Sequence, residues 1–100
     1  MKTHWFHILL SLADEPRYGS AIREDVARLS GGSVRLWPAT LYGSLEELAE
    51  KRWIIELEDQ DQLDARHGRE RFYRLTREGR LALEGKVLRM EGLTRLARSR

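Results

Sequence analysis

The chain has 100 residues, enough for one domain with a small apolar core that a partner subunit would supplement. It contains no cysteine, which excludes disulfides, thiolate metal sites and thiol nucleophiles. With 18 basic and 16 acidic residues the formal net charge is only +2, so the placement of the cations carries more than their sum. No apolar run approaches the length of a membrane span and the N-terminus lacks a secretory pattern, so the expectation is a cytoplasmic protein with no membrane partner.

Residues 3–13 are apolar nearly all round (Trp5, Phe6, Ile8, Leu9, Leu10, Leu12), which predicts a helix covered on two sides, by its own core and by a second subunit. Asp14-Glu15-Pro16 ends it, because a residue before proline is pushed out of helical geometry. Tyr18-Gly19-Ser20 opens a second helix with Ala21, Ile22, Val26 and Leu29 at helical spacing, and Ser30-Gly31-Gly32 stops it. Val34, Leu36 and Trp37 are expected to form a very short strand.

The run from Pro38 to Leu48 reads as a third helix. Pro38 suits a first helical position, and Leu41, Leu45 and Leu48 face a core. Thr40, Tyr42, Gly43 and Ser44 then fall in an exposed N-terminal half, where the recognition helix of a helix-turn-helix works. An ordinary amphipathic helix would look the same in isolation. After Lys51-Arg52 the period changes: Trp53 to Leu57 and Arg71 to Leu75 predict two strands of a hairpin. Its long polar tip carries Arg66-His67-Gly68-Arg69, and six arginines stand between positions 66 and 80 against Glu70 and Glu78.

Thr76 resembles an N-cap for a final helix, with Gly79 weakening its first turns. That helix bears one apolar stripe of Leu83, Val87, Met90, Thr94 and Ala97. A second holds Leu81, Leu88 and Leu96 with Gly85 and Gly92, more than a small core needs. The expected fold is mainly α with a small β-hairpin: a winged helix-turn-helix over residues 1–76, followed by a C-terminal dimerisation helix over 77–100, as one structural unit.

Over essentially its whole length the chain resembles the PadR family of transcriptional regulators. The matching residues are Tyr18-Gly19, Pro38-Ala39-Thr40-Leu41-Tyr42, Leu45 with Leu48, Ile54, and Phe72-Tyr73-Arg74-Leu75-Thr76-Arg77-Glu78-Gly79. The resemblance implies a homodimeric repressor of the compact branch, with a single C-terminal helix. Two residues depart from the family pattern: Ala39 and Arg52 each stand where glycine is frequent. If the backbone at Arg52 is left-handed, it carries a strain of roughly 1 kcal/mol or more.

On this reading double-stranded DNA is the partner, and the candidate contacts are Tyr18, Pro38, Thr40, Tyr42, Gly43, Ser44, Lys51, Arg52, Arg66, His67, Arg69 and Arg71. Tyr42 either bonds a phosphate through its phenol or closes the core as a surface aromatic; Thr40 either reaches DNA or satisfies its own helix start. Lys51 and Arg52 would meet the backbone, and the wing cations a minor groove or phosphates. Trp5, Phe6, Leu9, Leu83, Val87, Leu88 and Met90 are the expected dimer interface. A small aromatic effector would sit among Trp5, Gly85, Leu88 and Gly92, unless these simply form an apolar interface.

His4 and His7 lie a turn apart, but no third ligand completes a set, so no metal and no cofactor is expected. Without a nucleophile elbow, phosphate loop or paired acids, an enzyme is not expected either. The rival function is a winged-helix protein-interaction module without sequence-specific DNA binding. Glu46, Glu47, Glu50, Glu56, Glu58 and Asp59 keep it open, since acids facing DNA would repel it.

Overall fold

The computed structural model describes residues 1–57 and 71–100. In chain order the elements are α1 (Thr3–Ser11), β1 (Arg17–Tyr18), α2 (Gly19–Leu29), α3 (Pro38–Glu50), β2 (Ile54–Leu57), β3 (Phe72–Leu75) and α4 (Arg77–Ser99). The three short helices each supply apolar residues at helical spacing to one core: Ile8 and Leu9 from α1, Ile22 and Val26 from α2, Leu41, Leu45 and Leu48 from α3. Ile54, Tyr73 and Leu75 close it from the sheet and Leu83 from α4. Each such aliphatic side chain contributes about 1.5–3 kcal/mol on leaving water.

The sheet is antiparallel with order β1-β3-β2, and Ile54 pairs with Leu75 while Arg17 pairs with Tyr73. The strand expected at Val34–Trp37 is therefore a correction: that segment is not a strand, and the third strand is Arg17–Tyr18. The reason lies in β3, which has two edges. β2 takes one, and the segment after Pro16, already extended, takes the other. The amide of Gly19 continues the pairing to the Arg71 carbonyl at 3.2 Å.

Helices α2 and α3 end in the same way. The amide of Gly32 bonds the Ala27 carbonyl and that of Gly31 the Arg28 carbonyl; likewise Trp53 bonds Leu48 and Arg52 bonds Ala49. Both are Schellman motifs, which need a left-handed residue at the second position. In α2 that residue is Gly31 at φ 62°; in α3 it is Arg52, also at φ 62°. The left-handed geometry anticipated at Arg52 is thus present.

The strained turn is held by the start of α4. The Thr76 hydroxyl donates to the Arg52 carbonyl at 2.6 Å and accepts from the Gly79 amide at 3.0 Å, while the Thr76 amide bonds the Trp53 carbonyl at 3.0 Å. Gly79 does not weaken this turn; it permits it. A Cβ at position 79 would lie 2.0 Å from the Trp53 carbonyl oxygen, so only glycine lets α4 come this close. Further along, Arg80 donates to the Ala13 carbonyl at 2.7 Å, tying α4 to the end of α1.

A charged cluster joins α1, β1 and α2. Arg17 donates from Nε to the Ser11 carbonyl at 2.8 Å and meets Asp14, Glu15 and Asp25. Burial pushes the Asp25 carboxyl up, but the hydrogen bond from Arg28 and the nearby guanidinium charges outweigh it and hold the group below its usual range.

Three substitutions at the α3–α4 junction should separate by sign in urea unfolding at neutral pH. Gly79→Ala should cost at least about 2 kcal/mol through its backbone clash, and Thr76→Val about 1–2 kcal/mol through the lost cap. Arg52→Gly should stabilise by up to about 1 kcal/mol as the left-handed strain is relieved. A second expectation concerns acid. Because the folded-state pKa of Asp25 is depressed, its contribution is present above the unfolded carboxylate value near about 3.9 and disappears as pH falls through the folded value. Asp25→Asn should therefore lose stability at neutral pH and show a shallower acid dependence, read from unfolding midpoints across the acid range.

Candidate nucleic-acid interface

Two helix N-termini meet on one side of the molecule. Helix α3 starts with Pro38 in its first turn behind Trp37, and α2 starts behind Tyr18; in neither case does the N-cap residue bond the first turn through its side chain. Such ends are electropositive along the helix dipole, although the Gly19 amide is already bonded to the Arg71 carbonyl and Pro38 has no amide to offer. Tyr42 holds them together. Its hydroxyl lies 2.9 Å from the point where a Cβ on Gly19 would stand, so the hydroxyl-bearing edge of the ring rests on the first residue of α2. Tyr42 is 39% exposed, with its hydroxyl edge packed on Gly19.

Around this junction Pro38, Ala39 and Thr40 are exposed, and nothing lies within 4 Å of the position a Gly43 side chain would occupy. The backbone there is open to close approach. Ser44 is a correction: it is 3% exposed and lies on the inner face with Leu41, Leu45 and Leu48. Position 44 is three residues after Leu41 and therefore shares its stripe. Tyr18 is half-buried, with its ring 4.8 Å from that of Phe72, so it braces β1 against β3.

The predicted cations divide. Lys51 sits at the far end of α3, about 16 Å from Thr40 at the rise of an α-helix. Its ammonium lies 5.4 Å from the Trp5 ring and 5.1 Å from the Trp53 ring, two rings that meet edge to face. That cation–π seat, shared with Lys2 over Trp5, makes Lys51 a brace for the core. Arg52 is exposed, and its carbonyl receives the Thr76 hydroxyl. Arg71 is engaged within the sheet: a hydrogen bond with the Tyr73 hydroxyl, then the Glu56 carboxylate 3.6 Å away, hold its guanidinium pKa above the ordinary value. Arg66, His67 and Arg69 lie outside the described residues.

Acidic groups gather beside the second half of α3. Glu46, Glu50 and Glu56 border a depression with Arg71 and Tyr73. A polyanion is therefore favoured at the N-terminal half of α3 and opposed at the other. Sequence reasoning missed the other side of the positive end: Arg23 on α2, and Arg35 and Trp37 just before α3, border one depression and are all exposed. The signal available was the position of Trp37 directly before the helix-starting proline.

The residues assigned to a dimer interface also divide. Trp5, Leu9 and Leu83 belong to the protomer's own core, Leu9 with no exposed surface at all. Phe6, Leu10, Val87, Met90 and Thr94 instead line an apolar groove of about 580 Å³ between α1 and α4. Leu88 is 66% exposed and nothing lies within 4 Å of the missing side chains of Gly85 and Gly92, so these three lie outside that groove, and Trp5 lies beneath the surface. His7 is engaged with its own helix, Nδ1 being 2.8 Å from the Thr3 carbonyl, and burial followed by the charge of Lys2 pulls the His4 pKa down. Among the described residues no three metal-ligating side chains converge, and no helix is long and apolar enough to cross a membrane.

A three-helix core with a small antiparallel sheet and a helix leading away from the last strand defines a winged helix-turn-helix protein. The profile of the transcriptional regulator PadR-like family matches residues 8–85, and the chain belongs to that family. It is similar to an uncharacterized 37.1 kDa protein in transposon TN4556 of Streptomyces fradiae, with 37% identity over 87 residues; the match covers 87% of this chain and 23% of that relative's length. Among solved structures it resembles a PadR family transcription regulator from hypervirulent Clostridium difficile at a TM-score of 0.77, with 24% identity and 95% and 94% of the two chains covered. It also resembles RosR of H. salinarum at a TM-score of 0.71, with 28% identity and 90% and 74% covered.

The Tyr42–Gly19 contact predicts an unusual pattern for Gly19→Ala. The added methyl meets the movable end of a tyrosine side chain, so the stability cost should stay within about 1 kcal/mol. The Tyr42 ring resonances, observed by NMR, should nevertheless shift more than those of Tyr73.

Proposed function

We propose that the protein is a homodimeric, cytoplasmic transcriptional regulator that represses by binding an inverted-repeat operator. The observation that carries this reading is the pair of helix N-termini joined at Tyr42 and Gly19, with Pro38, Thr40 and the open backbone at Gly43 beside them. Phosphate suits such a place: amides and a phenol donate, and the helix dipoles favour negative charge. On this reading helix α3 enters the major groove from its first turns, and Arg66, His67 and Arg69 are the candidate contacts of the 59–70 segment, which lies outside the described residues. Arg23 joins Lys51, Arg52 and Arg71 as a candidate contact, whereas the buried Ser44 does not.

Dimerisation falls to α4 and α1. Leu88, Leu93 and Leu96 stand exposed on a 23-residue helix whose far half leaves the core, and the apolar groove at Phe6 and Leu10 lies along another face of the same helix. A second α4 laid there would cover what one protomer leaves wet. The groove is also the place for a small aromatic effector. A neighbour of the same fold, at 21% identity and a TM-score of 0.70, supports that possibility by analogy: regulation of DNA binding of Bordetella bronchiseptica BpsR involves 6-hydroxynicotinic acid.

Binding of the purified protein to its own promoter duplex and to a scrambled duplex, at several salt concentrations, tests the reading. With about three phosphates neutralised per subunit, affinity should fall by about five powers of ten per decade of salt. Tyr42→Phe combined with Arg69→Ala should weaken promoter binding by at least about tenfold, two hydrogen-bonded contacts at roughly 1 kcal/mol each, and leave the sedimentation behaviour of the dimer unchanged. Absence of binding to either duplex at low salt would favour the protein-interaction module instead.

A further inference from the structure

Tryptophan is the largest apolar side chain in the chain, and its three copies are treated unequally. Trp5 is buried and Trp53 packs edge to face against it, whereas Trp37 is 65% exposed. An isolated exposed leucine is unremarkable in a soluble protein, but an exposed indole is a large area left in water. Its backbone is not loose. Trp37 is the N-cap of α3 in an extended conformation, its carbonyl accepts the Leu41 amide at 2.8 Å, and Pro38 restricts it from the other side. The indole is therefore presented from a fixed point, one residue before the first turn that carries Thr40.

Its neighbours bear on what it meets. Ser20, Arg23, Ala27 and Arg35 border the same depression, with Glu24 as its acid. Two guanidiniums beside an aromatic ring suit a phosphate backbone with an apolar element alongside. In the major groove that element is the thymine C5-methyl group, the apolar feature among the base edges. Thr40 and Gly43 offer no unique bidentate pairing to any base, so apolar contact is a form of readout this helix start can add to whatever the neighbouring arginines supply.

We propose that Trp37 is a specificity-determining residue, its indole packed on a thymine methyl at one position of each DNA half-site. The inference rests on the DNA-binding reading above and adds the group that is read. Duplexes enriched from a random-sequence pool by the wild-type protein provide the probe, each thymine being replaced in turn by deoxyuridine, which removes the methyl and keeps the pairing edge. A single replacement, in one half-site, should weaken the wild type about fourfold, the effect of returning one methyl-sized apolar group to water. Trp37→Ala should bind the parent duplex at least that much more weakly and be indifferent to the same replacement, while Trp37→Phe keeps part of the dependence. Acrylamide quenching of the exposed tryptophan should fall when the enriched duplex is added. Equal sensitivity of wild type and Trp37→Ala at every thymine, or unchanged affinity of Trp37→Ala, would overturn the proposal and leave DNA binding standing. Failure of the wild type to enrich any duplex would overturn both.

Discussion

Everything on the side proposed to face DNA depends on how α3 leaves the core. Its last turn must reverse within two residues to start β2, and the Schellman geometry forces Arg52 into a left-handed conformation that favours glycine. The start of α4 compensates. One threonine side chain caps α4 and holds the Arg52 carbonyl at the same time, and the missing Cβ of Gly79 lets the two backbones touch. The turn thus locks together the helix that presents Thr40 and Tyr42 and the helix that carries the exposed leucines. A strain of about 1 kcal/mol is offset by two side-chain hydrogen bonds of similar size.

The same architecture sorts the charges. Basic and acidic residues are nearly balanced along the chain, yet Arg23 and Arg35 flank the start of α3 while Glu46 and Glu50 flank its end. Lys51 and Arg71 are both exposed and also lie beside aromatic rings and Glu56 respectively. Approach of a polyanion is thereby steered to the N-terminal half of α3, the end that Tyr42 joins to α2.

Much of the fold was legible in local signals. Pro38 marks a helix start, Gly31 a helix stop and Thr76 a cap, each with a mechanism that needs no tertiary information. The failures share a cause. A strand of two residues has no period, so β1 is visible only once β3 offers an open edge. Ser44 reads as polar and hence exposed, although its spacing from Leu41 puts it inside. Apolar residues on α1 and α4 announce burial without naming the partner, so Trp5, Leu9 and Leu83 read equally as interface or as the chain's own core, and the core holds them. Gly79 reads as a weak point because the Trp53 carbonyl it accommodates is 26 positions away in sequence.

The central claim is that the α3–α4 junction holds two recognition helices at a fixed spacing in a dimer. The absence of cysteine allows a single spin label to be placed uniquely at Thr40→Cys on the exposed start of α3. Pulsed dipolar spectroscopy without DNA should then give one narrow distance near about 34 Å, the separation of successive major grooves on one face of a duplex. Absence of dipolar coupling, or a broad distribution that stays broad on adding the operator, would contradict the account.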